Sequence, residues 1–116
     1  MDERLKEIIK KITKFRDERD WVQFHDPKNL AEAISVEAGE LLEKFLWLNI
    51  ERASKLDDKK IGKIKEEVAD IFIFTLYLCE VLKIDLLAEA EKKISINAEK
   101  YPVAKAKGTA KKYTEL

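Results

Sequence analysis

Apolar residues recur every three or four positions through most of this chain. Leu5, Ile8, Ile9, Ile12 and Phe15 form one such stripe and predict a first helix over about residues 2–19. The segment "DWVQFHDPKN" then shows no clear period. Asp26-Pro27 supplies a cap followed by proline at the first helical position, a start signal. From there Leu30, Ala33, Ile34, Leu41, Leu42 and Phe45 extend a second helix to about residue 49. The polar stretch "ERASKLDDKKIGK" reads as a connector, with Asp57 or Asp58 available to cap the next element. A third helix is expected over about 59–82 and a fourth over about 85–99, ending before Tyr101-Pro102. The basic tail over about 103–116 is expected to be less ordered. The pattern predicts an all-α protein, a four-helix bundle with short connections in a single domain over 1–116.

The third helix changes that picture. Its second half, "VADIFIFTLYLCEVL", is apolar nearly all round, and such a helix is buried on every side. Four helices in 116 residues hardly cover it, so an oligomer interface is expected.

The 23 basic and 23 acidic residues cancel, leaving no global field to attract nucleic acid. No apolar run approaches the roughly 18 residues of a membrane span. "MDERLKEIIKK" is amphipathic and has no signal-peptide core, and Cys79 has no partner for an internal disulfide. Together these features predict a cytoplasmic protein without nucleic-acid or membrane partners.

The chemistry lies in acidic pairs. Acidic residues three apart occur as Asp17/Asp20, Glu37/Glu40, Glu40/Glu43 and Glu67/Asp70. At this charge density a solvated face is the default for Asp17/Asp20 and Glu43. Glu37/Glu40 and Glu67/Asp70 differ because they sit among apolar neighbours. An unpaired ionised carboxylate there is expensive, and a protein avoids the expense by protonation, ion pairing or metal binding. Two helices that each present two carboxylates make a cluster of hard oxygen ligands suited to Mg²⁺, or to Mn²⁺ in its place. A dinuclear iron bundle would require Glu-x-x-His on two helices. The single histidine, His25, lies outside both.

Glu37-x-x-Glu40, a gap of 26 residues, then Glu67-x-x-Asp70 resembles the metal-binding signature of the MazG-like, all-α nucleoside triphosphate pyrophosphohydrolases. "ERDWVQFHDPKNLAEAISVEAGELLEKFLW", "KISINAEKYP" and "KYTEL" resemble the dCTP pyrophosphatase branch, so the likeness runs through most of the chain. The resemblance implies Mg²⁺-dependent hydrolysis of a nucleoside triphosphate between the α and β phosphates, giving monophosphate and pyrophosphate. It implies assembly as a dimer or a dimer of dimers. It also assigns Glu37, Glu40, Glu67 and Asp70 to the metal. A carboxylate not fully used as a ligand could take the proton of the attacking water, with Glu37 and Glu40 the candidates.

Trp21, Phe24, His25 and Trp47 are candidates for a base pocket, since aromatic faces stack on nucleobases. Ordinary core packing is the competing reading for each, and His25 could instead cap a turn. Asn97, Lys100 and Tyr101 in "NAEKYP" are candidates for phosphate contacts, as is Lys93, with Lys63, Lys28 and Asn29 behind them. For Lys100 the rival is a basic helix C-terminus stabilised by its dipole. Two positions depart from the pattern of the branch: Leu46 stands where relatives often have Gln, and Phe74 where some have Tyr. Both bear on base preference and phosphate contacts and leave the carboxylates untouched. The alternative in a different class is a non-catalytic helical scaffold or partner-binding module. It predicts an acidic cluster neutralised by lysines.

Overall fold

A computed structural model describes residues 2–116. Six α-helices are present: α1 (Glu3–Glu18), α2 (Pro27–Glu43), α3 (Ile50–Ala53), α4 (Asp58–Leu82), α5 (Leu86–Lys100) and α6 (Val103–Ala106). Short 3-10 turns cover Val22–Phe24 and Tyr113–Glu115, and no strand occurs among the described residues.

Aspartates start all four long helices. Asp2 accepts the Arg4 and Leu5 N–H groups at 2.9 and 3.1 Å, and Asp26 accepts Asn29 N–H at 2.8 Å. Asp57 accepts Lys60 N–H at 2.8 Å, and Asp85 accepts Ala88 N–H at 3.2 Å. Each satisfies a donor that the first turn would otherwise leave open. Pro27 follows Asp26 at the first position, as expected from the sequence. At the far end of α4, Lys83 adopts a left-handed conformation with φ 59°, and Ile84 N–H reaches back to the Cys79 carbonyl at 2.8 Å.

The second helix is shorter than its hydrophobic stripe suggests. It ends at Glu43 instead of near residue 49. Beyond it the bonds tighten to three-residue steps, from Lys44 N–H to Leu41 O (3.1 Å) through Leu48 N–H to Phe45 O (3.0 Å). Trp47 then turns left-handed at φ 66°, and Asn49 caps α3 by accepting Arg52 N–H at 2.8 Å. Apolar periodicity runs through this reversal because a tight turn also needs residues to cover its inner side.

The chain divides into two compact units, Met1–Ile84 and Asp85–Leu116. In the first, α4 is the central element, packed extensively on α2 and more lightly on α1. Its buried core comprises Leu5, Ile12, Leu30, Leu76, Tyr77 and Cys79, with Leu30 only 1% exposed. The Tyr77 hydroxyl donates to the Ile12 carbonyl at 2.6 Å, tying α4 to α1 through a satisfied buried polar group. The second unit holds α5 and the tail. There Tyr113 packs edge-on against Tyr101 (6.0 Å between ring centres), and the Lys100 ammonium lies 4.8 Å above the Tyr113 ring.

Candidate active site

Glu37 and Glu40 lie one turn apart on α2, and Glu67 and Asp70 one turn apart on α4. Packing of α2 on α4 brings carboxylate oxygens of Glu37, Glu67 and Asp70 within 4.8 Å of one another. Glu40 stands close enough to Glu37 to repel its charge. Glu37, Glu40 and Glu67 are half-buried and Asp70 is exposed.

The electrostatics match the crowding. The Glu37 carboxyl is pushed up to about 7, chiefly because a proton there is shared in a hydrogen bond with Glu67. Burial and the Glu40 carboxylate push the same way. With both carboxylates ionised, Glu37 Oε2 and Glu67 Oε2 are buried and have no hydrogen-bond partner. Buried acceptors are normally satisfied, so these two oxygens call for a shared proton or for a cation, which the cluster has the ligands to hold. All the available donors are hard oxygens, the set preferred by Mg²⁺, Ca²⁺ and Mn²⁺. Among the described residues no histidine or cysteine belongs to the cluster.

A cavity of about 370 Å³ begins beside this cluster, and Asp70 lines it. Trp21 and His25 form part of the wall. Phe15, Ile73, Phe74 and Tyr77 supply most of the rest, so the cavity is largely apolar. Phe15 supports Trp21 edge-on (5.7 Å), and the His25 ring stands edge-on to Tyr77 (4.6 Å). Burial holds the His25 pKa below its ordinary value, with the Arg16 charge adding to the effect, so His25 is neutral at physiological pH.

The other candidates lie elsewhere. Trp47, in the turn after α2, is 91% exposed and does not line the cavity. Phe24 is exposed beside the Val22–Phe24 turn. Asn29 Nδ2 donates to the Phe24 carbonyl at 3.1 Å, a local structural bond, and Lys28 pairs with Glu32 at 3.2 Å on an exposed helix face. Lys63 sits with Lys59, Lys60 and Asp57 around a shallow hollow near the start of α4. Lys93, Asn97 and Lys100 are exposed along α5, and Tyr101 caps its C-terminus.

Sequence reasoning missed Lys44, whose Nζ lies 3.8 Å from Glu67 Oε1. The available signal was its spacing: Lys44 falls four residues after Glu40 and seven after Glu37, on one helical face. It also missed Phe15 and Tyr77 as cavity wall, because a helical apolar residue reads as core until the neighbouring element is known.

The sequence profile of the MazG-like family matches residues 33–116, and the chain belongs to that family. Over 114 residues it is 36% identical to dCTP pyrophosphatase 1 of Bos taurus, covering 97% of this chain and 68% of that protein. The corresponding human protein is 34% identical over the same length, covering 97% and 67%. The fold is similar to that of a pyrophosphatase from Archaeoglobus fulgidus, with a TM-score of 0.83 and 36% identity over 88% of this chain and 95% of that one.

Proposed function

We infer that this chain is a nucleoside triphosphate pyrophosphohydrolase, cleaving a (deoxy)nucleoside triphosphate to the monophosphate and pyrophosphate in nucleotide-pool housecleaning in the cytosol. The observation that carries this reading is the junction at Asp70, where a largely apolar, base-sized cavity meets a cluster of hard oxygen ligands. The relatives named dCTP pyrophosphatase 1 make dCTP and modified dCTP the first substrates to try.

Glu37, Glu40, Glu67 and Asp70 would hold the divalent cation, Mg²⁺ by preference, with Mn²⁺ as a substitute. Such an ion neutralises triphosphate charge and makes water a nucleophile near neutral pH. The protein supplies the remaining chemistry. Trp21 offers a stacking face for the base, and His25, held neutral, offers one donor and one acceptor. Phe74 adds apolar surface and no hydroxyl, so selection at this wall rests on shape and stacking. Glu37 has a pKa close to the working pH, and its unpartnered Oε2 is suited to accept a proton; Glu40 is the alternative acceptor. Lys93, Asn97, Lys100 and Tyr101 stay candidates for triphosphate contacts by resemblance to the family.

A homodimer or a dimer of dimers is part of this proposal. Leu42, Leu46, Trp47 and Ile50 are all exposed around the end of α2, a concentration of apolar surface that a second copy would cover. Light scattering on the purified protein measures the assembly directly.

The scaffold alternative predicted lysine partners for the acidic cluster. Among the described residues only Glu67 has one within 4.0 Å, while Glu37, Glu40 and Asp70 have none. The deciding experiment incubates the protein with canonical and modified dNTPs, with Mg²⁺ or with EDTA, and separates the products by ion exchange. Monophosphate plus pyrophosphate, lost in EDTA, supports the reading. Diphosphate plus phosphate rejects the cleavage site, and no turnover favours the scaffold.

A further inference from the structure

Seven ion pairs are formed among the described residues, and most are local or exposed. Lys6–Glu3, Lys14–Glu18, Lys28–Glu32 and Lys55–Glu51 each link neighbouring turns of one helix at the surface. Such pairs contribute little. Arg16–Glu80 also joins two helices, α1 and α4, with partly buried side chains, but outside the carboxylate cluster. Lys44–Glu67 differs in its place. It bridges the end of α2 to α4, its two side chains are only 26% and 14% exposed, and it ends in the carboxylate cluster.

The position of Lys44 follows from the early end of α2. Its backbone N–H already turns back to the Leu41 and Leu42 carbonyls, so the residue caps the helix while its side chain reaches Glu67 on α4. Among the described residues no other Lys or Arg lies within 4.0 Å of the four clustered carboxylates. The ammonium engages Glu67 Oε1, and the other oxygen, Oε2, stays buried without a partner.

We propose that Lys44 is a built-in counter-cation that positions the Glu67 carboxylate and weakens divalent-metal binding at the cluster. The proposal rests on reading the cluster as a metal site. Two effects act in the same direction. An ammonium 3.8 Å from Glu67 Oε1 repels an arriving dication, and it also competes with the dication for the charge of that carboxylate. Without a metal, the same ammonium offsets the repulsion among carboxylates that share a partly buried space. Lys44 thus acts through Glu67 and is a positioning residue. A site tuned in this way releases its metal readily and takes it up together with an anionic substrate, whose phosphates offset the ammonium.

The test uses the full chain without nucleotide. Mg²⁺ and Mn²⁺ affinities are measured by titration calorimetry for wild type, Lys44→Met, Lys44→Gln and Lys44→Arg, and each is melted in EDTA. Both neutral variants should bind metal more tightly, by a factor on the order of ten, and should melt lower than wild type in EDTA. Lys44→Arg should stay near wild type in both measurements. A merely structural role would lower the melting temperature of the neutral variants without tightening the metal. Equal or weaker metal affinity in both, with a wild type that binds, overturns the proposal alone. If neither the wild type nor the neutral variants bind either ion, the metal reading falls and this proposal with it; a wild type that binds neither while both neutral variants bind supports the proposal. The two neutral substitutions differ in polarity, so failure of one to fold leaves the other to decide.

Discussion

The two halves of α4 bury polar atoms in opposite ways. In the C-terminal half, the buried Tyr77 hydroxyl donates at 2.6 Å to the Ile12 carbonyl, and the buried Glu80 Oε2, which has no hydrogen bond, has its charge offset by the Arg16 guanidinium at 3.7 Å. In the N-terminal half, Glu67 Oε2 is buried with no partner, opposite the equally unpartnered Glu37 Oε2. The first arrangement is what folding alone selects, because a satisfied buried group costs little. The second is costly while both carboxylates are ionised and is relieved by a proton on Glu37 or by a cation that takes its place. One helix therefore carries both a structural end and a functional end, and they should respond differently to mutation, metal and pH.

The sharpest way to break that contrast is Glu67→Gln. Turnover should fall more than about 100-fold, while the metal-free protein keeps its helical circular dichroism and melts no lower. The same outcome is expected for Glu40→Gln, and unfolding of either variant would make that carboxylate structural. Leu30→Ala probes the opposite side of the comparison. At 1% exposure Leu30 should cost about 2–5 kcal/mol on truncation, read from urea unfolding.

Trp21→Ala lies between the two, since it lines the cavity but is not part of the buried core. It should raise KM by roughly tenfold, as expected from loss of a stacking face, with a smaller change in kcat. Tyr77→Phe removes one satisfied hydrogen bond and should lower stability by about 1 kcal/mol, a melting shift of about 4 °C, without changing metal affinity.

A separate effect is expected in pH. Glu37 has a folded pKa of about 7 against an ordinary 4.5, so in this window the folded protein binds more protons than the unfolded chain. In EDTA, stability should therefore fall as pH rises from about 5 to 7 and level off above, and Glu37→Gln should flatten the trend. With Mg²⁺ present the cation competes with that proton, so metal affinity should weaken as pH falls below about 7.

Much of this was legible along the chain. Asp26-Pro27 and Asp57 announced the starts of α2 and α4 because a cap is a local hydrogen bond between near neighbours. Glu37, Glu40, Glu67 and Asp70 stood out because helical spacing places each pair on one face, and charge among apolar neighbours is a local anomaly. The end of α2 was not legible. The stripe of Leu41, Leu42 and Phe45 continues into "LWL", and a helix and a tight turn both accept apolar residues there. Trp47 does not line the cavity of the single chain, and the left-handed turn that carries it is likewise invisible in periodicity.

Local physics thus determined the helices, their caps and the four carboxylates, each of which depends on residues within about one turn. The packing of α2 on α4 decided the rest. It turned two separate acidic pairs into one cluster, joined a cavity to that cluster through Asp70, and gave Glu67 an ammonium from a residue 23 positions earlier in the chain. These are distances between side chains on different helices, and they exist only once the apolar faces of those helices have met.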